Sequence, residues 1–410
     1  MKKSRRLVSL AMAGIMSICA VPAASVNVFA HADSTVYTAG GFSKSEITLM
    51  NKIKTMIKTY DTDEIDISSY NLSMDDLWTL YDTVICNEPE LFNANPGSIY
   101  ASYETEDHVE TFAINFRYND RRTKSMMSEV DSFVDEMIAG MDTGWTDAEK
   151  VLYVHDYIAA SCDYYGGTSK LKGRNIYEAF IKGSSVCVGY ALGFQYVMDK
   201  LGIPCICVTS ETHIWNMVKV DGNWYHVDVT WDDPEKVTKN LVFHDMLLLS
   251  EYALDNYETP HEQWDFGMTA DSNKYDSFFW QQSASHMVYA DKYWYYTALD
   301  GLYRYSFGTG KEERLYEFTE DDVWDADEGN YWTVSFGQVC EYKGKVYFNT
   351  SEKIKCYDPK TGKTRDVCSP KLQKGYQIFD ITLDGDTLLI YAGTDLDSTA
   401  EKTYSYALSR

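Results

Sequence analysis

The chain has 410 residues, 45% of them hydrophobic and 24% charged, which is enough apolar content for at least two cores and too much for extended disorder. Its 62 acidic residues against 37 basic ones give a formal charge of −25, so the surface repels phosphate at long range. Nucleic acid and anionic membranes are excluded as expected partners.

Residues 2–6 are basic, Leu7–Ala24 is mostly apolar, and Ala30-His31-Ala32 has the small-x-small pattern cut by a signal peptidase. Residues 1–32 are therefore expected to be a secretory signal peptide, and the protein to be secreted and extracellular. No later segment could span a bilayer, so no stable membrane anchor is expected. Eight cysteines follow the leader: Cys86, Cys162, Cys187, Cys205, Cys207, Cys340, Cys356 and Cys368. Their sparse, irregular spacing suits mostly free thiols better than a disulfide framework.

Three regions then separate by pattern. From Ser43 to Met141, amphipathic helices are expected around Glu46–Thr59, Asp75–Cys86 and Lys124–Met141, with a strand over Thr111–Tyr118 between the last two. This is a small α/β region with no catalytic constellation of its own. From Thr146 to Phe266, a helix capped by Thr146 leads through a loop to a second helix entered at SSVCVGYA and stopped by Gly202 and Pro204. Strands follow at CICVTS, HIWNMVKV and NWYHVDVTW. From Phe278 onward the sequence is rich in tyrosine and turns. Tyr305 and Tyr357, Gly310 and Gly362, Lys311 and Lys363, and Tyr295 and Tyr347 are each 52 residues apart. With a degraded copy at Asp380–Leu408, this predicts three blade-like repeats of four strands each. Three such repeats do not close a propeller, so their edges need cover.

The chemistry gathers in the middle region. Cys187 falls where the second helix begins, with Ser184 or Ser185 as its expected cap, and a helix N-terminus favours a thiolate. A buried structural cysteine is the bland alternative. Downstream, Asp221-Gly222 signals a two-residue hairpin that pairs Val220 with Asn223 and sets Asp228 opposite Trp215. His213, two residues from Trp215, then shares the face of Asp228 and lies within side-chain reach of it. A carboxylate there can orient an imidazole, as in a triad of nucleophile, base and orienter. A three-residue loop would instead turn Asp228 to the other face. His226 alternates onto the same face as Asp228 and is a lesser candidate for the base. Cys205 and Cys207, two apart on one strand face near His213, read as buried strand cysteines rather than zinc ligands. His155 reads as a packed or solvated histidine, Asp232 and Asp233 as turn caps, and Trp215, Trp224 and Trp231 as core or cleft wall.

VCVGYA around Cys187, HIWN at His213 and WYHVDVTWDDP around Asp228 resemble the three motifs of the transglutaminase-like, papain-related cysteine superfamily, and most closely its secreted bacterial members. The resemblance runs from Thr146 to Phe266 and includes FHDMLLLSEYALDNYETPHEQWDF, similar to the tail of that domain. It implies an α+β chain in which a transglutaminase-like (papain-like) catalytic domain over residues 146–275 sits between an N-terminal α/β region, 33–145, and a C-terminal all-β, blade-like repeat domain, 276–410. It further implies Cys187 as nucleophile, His213 as general base and acid, and Asp228 as the residue orienting His213. The family's calcium sites have no counterpart here, and no metal or cofactor is expected. The expected function is a secreted cysteine-dependent amide or peptide hydrolase acting through an acyl-enzyme on a peptide or protein substrate, from the cell wall or extracellular space. The rival readings are a transglutaminase that cross-links Gln to Lys, and a non-catalytic binding protein whose repeats are the working part.

Overall fold

The computed structural model describes residues 29–30, 42–105, 107–167, 169, 172–210, 212–234, 240–257, 261, 268–326, 330–331, 335–394 and 402–408. The expected leader lies outside the described residues apart from Phe29–Ala30 (β1). Among the described residues no helix is long and apolar enough to cross a membrane.

Short polar residues start the helices where the sequence places them. In α1 (Lys44–Thr59) and α2 (Met74–Asn87), Ser43 and Ser73 accept from the amides of Glu46 and Asp76, whose side chains reach back to complete capping boxes. The apolar faces of both helices bury Leu49, Ile53, Leu77 and Tyr81 with Phe112 of an antiparallel sheet. That sheet has the order β2 (Ile65–Asp66), β4 (His108–Phe116), β3 (Ala94–Thr105). β3 has no counterpart among the expected elements. It opens on Asn95-Pro96-Gly97, which reads as a turn, and its register with β4 shifts between Ala94 and Ile99.

α3 (Asp120–Ala139) and α4 (Asp147–Ser161) follow, the latter capped by Thr146 as expected. The stretch expected to be a loop contains two short strands, β5 (Asp163–Tyr164) and β6 (Ser184–Ser185), paired in parallel. Between them stands a seven-residue helix, α5 (Ile176–Lys182). α6 (Cys187–Leu201), ended by Gly202, packs on a five-stranded sheet. The sheet order is β1, β7 (Cys205–Thr209), β8 (Ile214–Val220), β9 (Asn223–Val227), β10 (Leu247–Leu249). The short helix α7 (Glu251–Asp255) follows β10.

The described residues form two compact units, one of Ser17–Thr230 with Met246–Asp276, the other of Trp231–Asp245 with Ser277–Arg410. Among the described residues the second is built of β-sheets, with one 3-10 turn at Phe279–Gln282. Its four-stranded sheets are β11 (Val288–Ala290), β12 (Tyr293–Ala298), β13 (Gly301–Ser306) and β14 (Lys311–Glu317), then, after the small β15 (Asp325–Ala326) and β16 (Asn330–Tyr331) pair, β17 (Val339–Tyr342), β18 (Lys345–Asn349), β19 (Ile354–Asp358) and β20 (Lys363–Cys368). The 52-residue spacing recurs in the backbone. Gly310 donates to the Ser306 carbonyl and Gly362 to that of Asp358, while register shifts fall at Leu302/Tyr303 and at Ile354/Lys355. The last copy differs from expectation: among the described residues it has three strands, β21 (Gln377–Asp384), β22 (Thr387–Gly393) and β23 (Lys402–Ala407), rather than four.

Candidate active site

Cys187 is the first residue of α6 and is half-buried. The expected serine cap is not there: Val186 occupies the cap position with no side-chain hydrogen bond. Ser185 is drawn away instead, its hydroxyl donating to the Gly173 carbonyl at 2.6 Å. The opening turn of α6 therefore presents backbone amides that no side chain caps. Gly189 allows this packing, since a Cβ there would run into Ser185 Oγ and come within 3.1 Å of the carbonyls of Gly173 and Asn175.

The hairpin that carries the other two residues turns at Asp221 (φ 51°) and Gly222 (φ 83°), the two positive φ values of a type I′ turn. Val220 pairs with Asn223 and Asn216 with Val227, the two-residue register. His213 precedes β8, its amide bound to Ser210 Oγ at 3.1 Å, and Asp228 follows β9, its amide bound to the Met246 carbonyl at 3.1 Å. The outcome is a His213 Nε2 to Asp228 Oδ2 hydrogen bond of 2.5 Å. With Nε2 so engaged, Nδ1 is the ring nitrogen left for Cys187, whose side chain is hydrogen-bonded to His213. Burial opposes a charge on His213, but the Asp228 carboxylate and Cys187 outweigh it and hold the imidazole pKa up to about 10. Burial likewise opposes the Asp228 charge, and His213 with a second imidazole overrides it, keeping the carboxyl well below its usual range.

That second imidazole belongs to His261, which the sequence reading did not single out. Its Nε2 donates to the same Asp228 Oδ2 at 2.9 Å, while Asp228 Oδ1 accepts from the Thr230 amide at 3.0 Å. His261 lies inside the tail-like stretch, but a single histidine there has no partner at a diagnostic spacing. Trp215 stacks on His213 at 5.8 Å between ring centroids and meets the His261 ring edge-on at 4.6 Å, forming the wall behind both. Ligand atoms of His213, Asp228 and His261 lie within 4.8 Å of one another, so these three could hold a metal ion. The same atoms are already joined by hydrogen bonds that need protons on the imidazoles, so a metal there would have to displace those protons.

His226 is on the expected strand but has another role. Its Nδ1 accepts from Trp215 Nε1 at 3.2 Å, which puts the proton on Nε2, facing Glu251 Oε2 at 3.2 Å. The ring is fully buried and, despite Glu251, burial lowers its pKa. His155 is fully buried against Asp156, with Nδ1 and Oδ1 2.9 Å apart. Cys205 and Cys207 are buried on β7, and Cys207 Sγ bonds Gln195 Oε1 at 3.1 Å. Desolvation pushes both thiols well up. The eight cysteines among the described residues are free.

Residues 131–229 match the model of the transglutaminase-like superfamily, a span that includes Cys187, His213 and Asp228. No curated protein matches the chain in sequence. Similar solved structures include a TGase, 13% identical with a TM-score of 0.24, and a Cytophaga hutchinsonii protein assigned as a cysteine protease, 13% identical with a TM-score of 0.22. Each alignment covers 32% of this chain, and the chain spans 44% of the first structure and 61% of the second.

Proposed function

We propose that the protein, whose residues 131–229 match the transglutaminase-like superfamily, is a cysteine-dependent hydrolase of peptide or protein amides, with Cys187, His213 and Asp228 as its working residues. The observation that carries this reading is the 2.5 Å His213–Asp228 bond held beside a cysteine at the uncapped opening of α6. The Cys187 thiolate attacks the amide carbonyl, and the oxyanion accepts from the Cys187 amide. His213, charged through its contact with Asp228, gives its proton to the departing amine as the C–N bond breaks. A thioester remains on Cys187. Neutral His213 then takes a proton from water as its oxygen attacks the thioester, and keeps it as the C–S bond breaks, so the acid departs and the thiolate and charged imidazole are restored.

Water is the favoured acceptor because an amine must compete with a solvent at about 55 M, which demands a dry acyl site and an amine pocket. Export is part of the proposal and rests on the leader-like residues 1–32. Incubating the protein with a peptide library, with and without a primary amine, tests the reading. New peptide termini are expected, and none with Cys187→Ala. Ammonia release with amine incorporation would replace hydrolysis by cross-linking, and undiminished turnover by Cys187→Ala would remove the nucleophile.

A further inference from the structure

In a chain with 62 acidic residues, a half-buried arginine with no carboxylate partner among the described residues calls for an explanation. Arg174 is that residue. It lies in the loop just before α5, and two hydrogen bonds staple this loop to the backbone entering α6: the Val186 amide to the Gly173 carbonyl at 2.9 Å, and the Ser185 hydroxyl to the same carbonyl at 2.6 Å. Its neighbour in the staple is thus one residue from the nucleophile.

The nearest carboxylate in sequence is committed elsewhere. Glu178 Oε1 takes the Arg117 guanidinium at 3.1 Å, and Oε2 accepts from the Arg174 backbone amide at 3.2 Å and from Asn175 Nδ2 at 3.0 Å. Glu178 therefore pins the main chain of Arg174 and leaves its side chain unneutralised. Burial pulls the guanidinium below its ordinary value, and the side chain that acts against this is Cys187. Among the described residues no acidic side chain pairs with Arg174. A guanidinium stays charged at any ordinary pH, and its donors match a carboxylate in a forked geometry.

We infer that Arg174 is a specificity-determining residue that receives a carboxylate flanking the amide attacked by Cys187, so that the substrates are acidic at that point. The inference rests on the proposed thiol chemistry and adds the substrate class to it. An acidic residue beside the amide and a free α-carboxylate next to it offer the same group. In a molecule this acidic, a cation near the nucleophile with no carboxylate partner among the described residues selects such a substrate against the repulsion of the rest of the surface.

The test uses the intact protein and two alkylating reagents that differ in the group recognised. Iodoacetate carries a carboxylate where iodoacetamide carries an amide, and both react with thiolate, so the ratio of their rates at Cys187 cancels changes in thiolate content. Arg174→Gln is expected to lower the iodoacetate-to-iodoacetamide ratio about tenfold, and Arg174→Lys to keep part of it, as loss of a charge-assisted contact requires. An unchanged ratio, or equal slowing of both reagents, would overturn the inference by making Arg174 a thiolate neighbour only. Matched peptides then identify the source. Preference for Glu over Gln beside the cleaved amide assigns a side chain, preference for a free terminus over an amidated one assigns the α-carboxylate, and preference for neither overturns the substrate class. Failure to cleave any peptide, with an Arg174-dependent alkylation ratio, would defeat the hydrolase reading and leave the selectivity of Arg174 standing.

Discussion

Asp228 ties two imidazoles together, because one oxygen holds both His213 and His261. Asp228→Asn replaces an acceptor-only group by one that also donates, so the His213 ring loses the partner that fixes its tautomer. Turnover is expected to fall by about three to four orders of magnitude, with the protein still folded by circular dichroism. The pH profile gives a second reading of the same bond. In the proposed chemistry acylation needs His213 protonated, and its pKa is raised to about 10, so activity is expected below that value and its loss is expected as pH rises through it. In Asp228→Asn the carboxylate that raised the pKa is gone, and the alkaline limb moves to lower pH. A limb that stays in place would mean that Asp228 does not set the charge of His213. The His213–Asp228 pairing was legible because a strand has a period of two and an Asp-Gly turn fixes the register. His261 and Arg174 were not, because loop residues obey no period that brings them to a partner. Cysteine reactivity is testable at this scale too. Among the other half-buried thiols, burial pushes Cys86 far up and Cys368 up to about 11, so Cys187 should be alkylated first at neutral pH. Mass mapping of iodoacetamide adducts against time decides it, and earlier labelling of Cys368 would count against the nucleophile.

At the scale of elements, the helix ends set the site more than the helices do. Thr146 caps α4 as its T-x-x-E pattern announces, whereas SSVC announces a serine cap for α6 that does not form. The serine hydroxyl binds the Gly173 carbonyl, a contact twelve residues distant that no local rule contains. That same bond fixes what Gly189 can become. Gly189→Ala would push a methyl into Ser185 Oγ, with two carbonyls 3.1 Å away, and should destabilise the protein by about 1–3 kcal/mol while displacing the start of α6 and lowering turnover. Adding Ser185→Ala removes the worst of the clash and should restore part of the stability. If thermal unfolding of the double variant is no better than that of Gly189→Ala, the staple is not what confines α6. α5 and β3 escaped notice for related reasons: the first is a short helix inside a polar stretch, and the second begins on a turn-like tripeptide whose irregular register only its partner strand reveals.

Over the whole molecule, the order of residues along the chain differs from the order of packing. The strands β9 and β10 are neighbours, with Val227 opposite Leu247, yet Trp231–Asp245 departs between them and groups with Ser277–Arg410. Composition and motifs run in chain order, so the excursion had no signal, whereas the 52-residue spacing was readable because it repeats turn glycines and lysines at fixed offsets. Within its own unit the excursion is well anchored: Leu241 is buried in the core with Tyr295 and Phe348, and Asn240 Nδ2 donates to Asp380 Oδ1 at 2.9 Å and to the Ile381 carbonyl at 2.8 Å. A chain simply ended at residue 276 would keep this segment and strip it of that core, leaving apolar side chains such as Leu241 in water. Its two ends are close, since the Asp228 amide meets the Met246 carbonyl at 3.1 Å, so a short Gly/Ser linker can replace residues 231–245. The linker version ending at 276 is expected to stay soluble without aggregating and to have Cys187 alkylated within a few-fold of the full protein's rate, whereas the simple truncation is expected to aggregate. Gel filtration and labelling rate read both outcomes. A linker version that unfolds, while the simple truncation remains soluble and reactive, would show that Trp231–Asp245 is needed to hold the hairpin that carries His213 and Asp228.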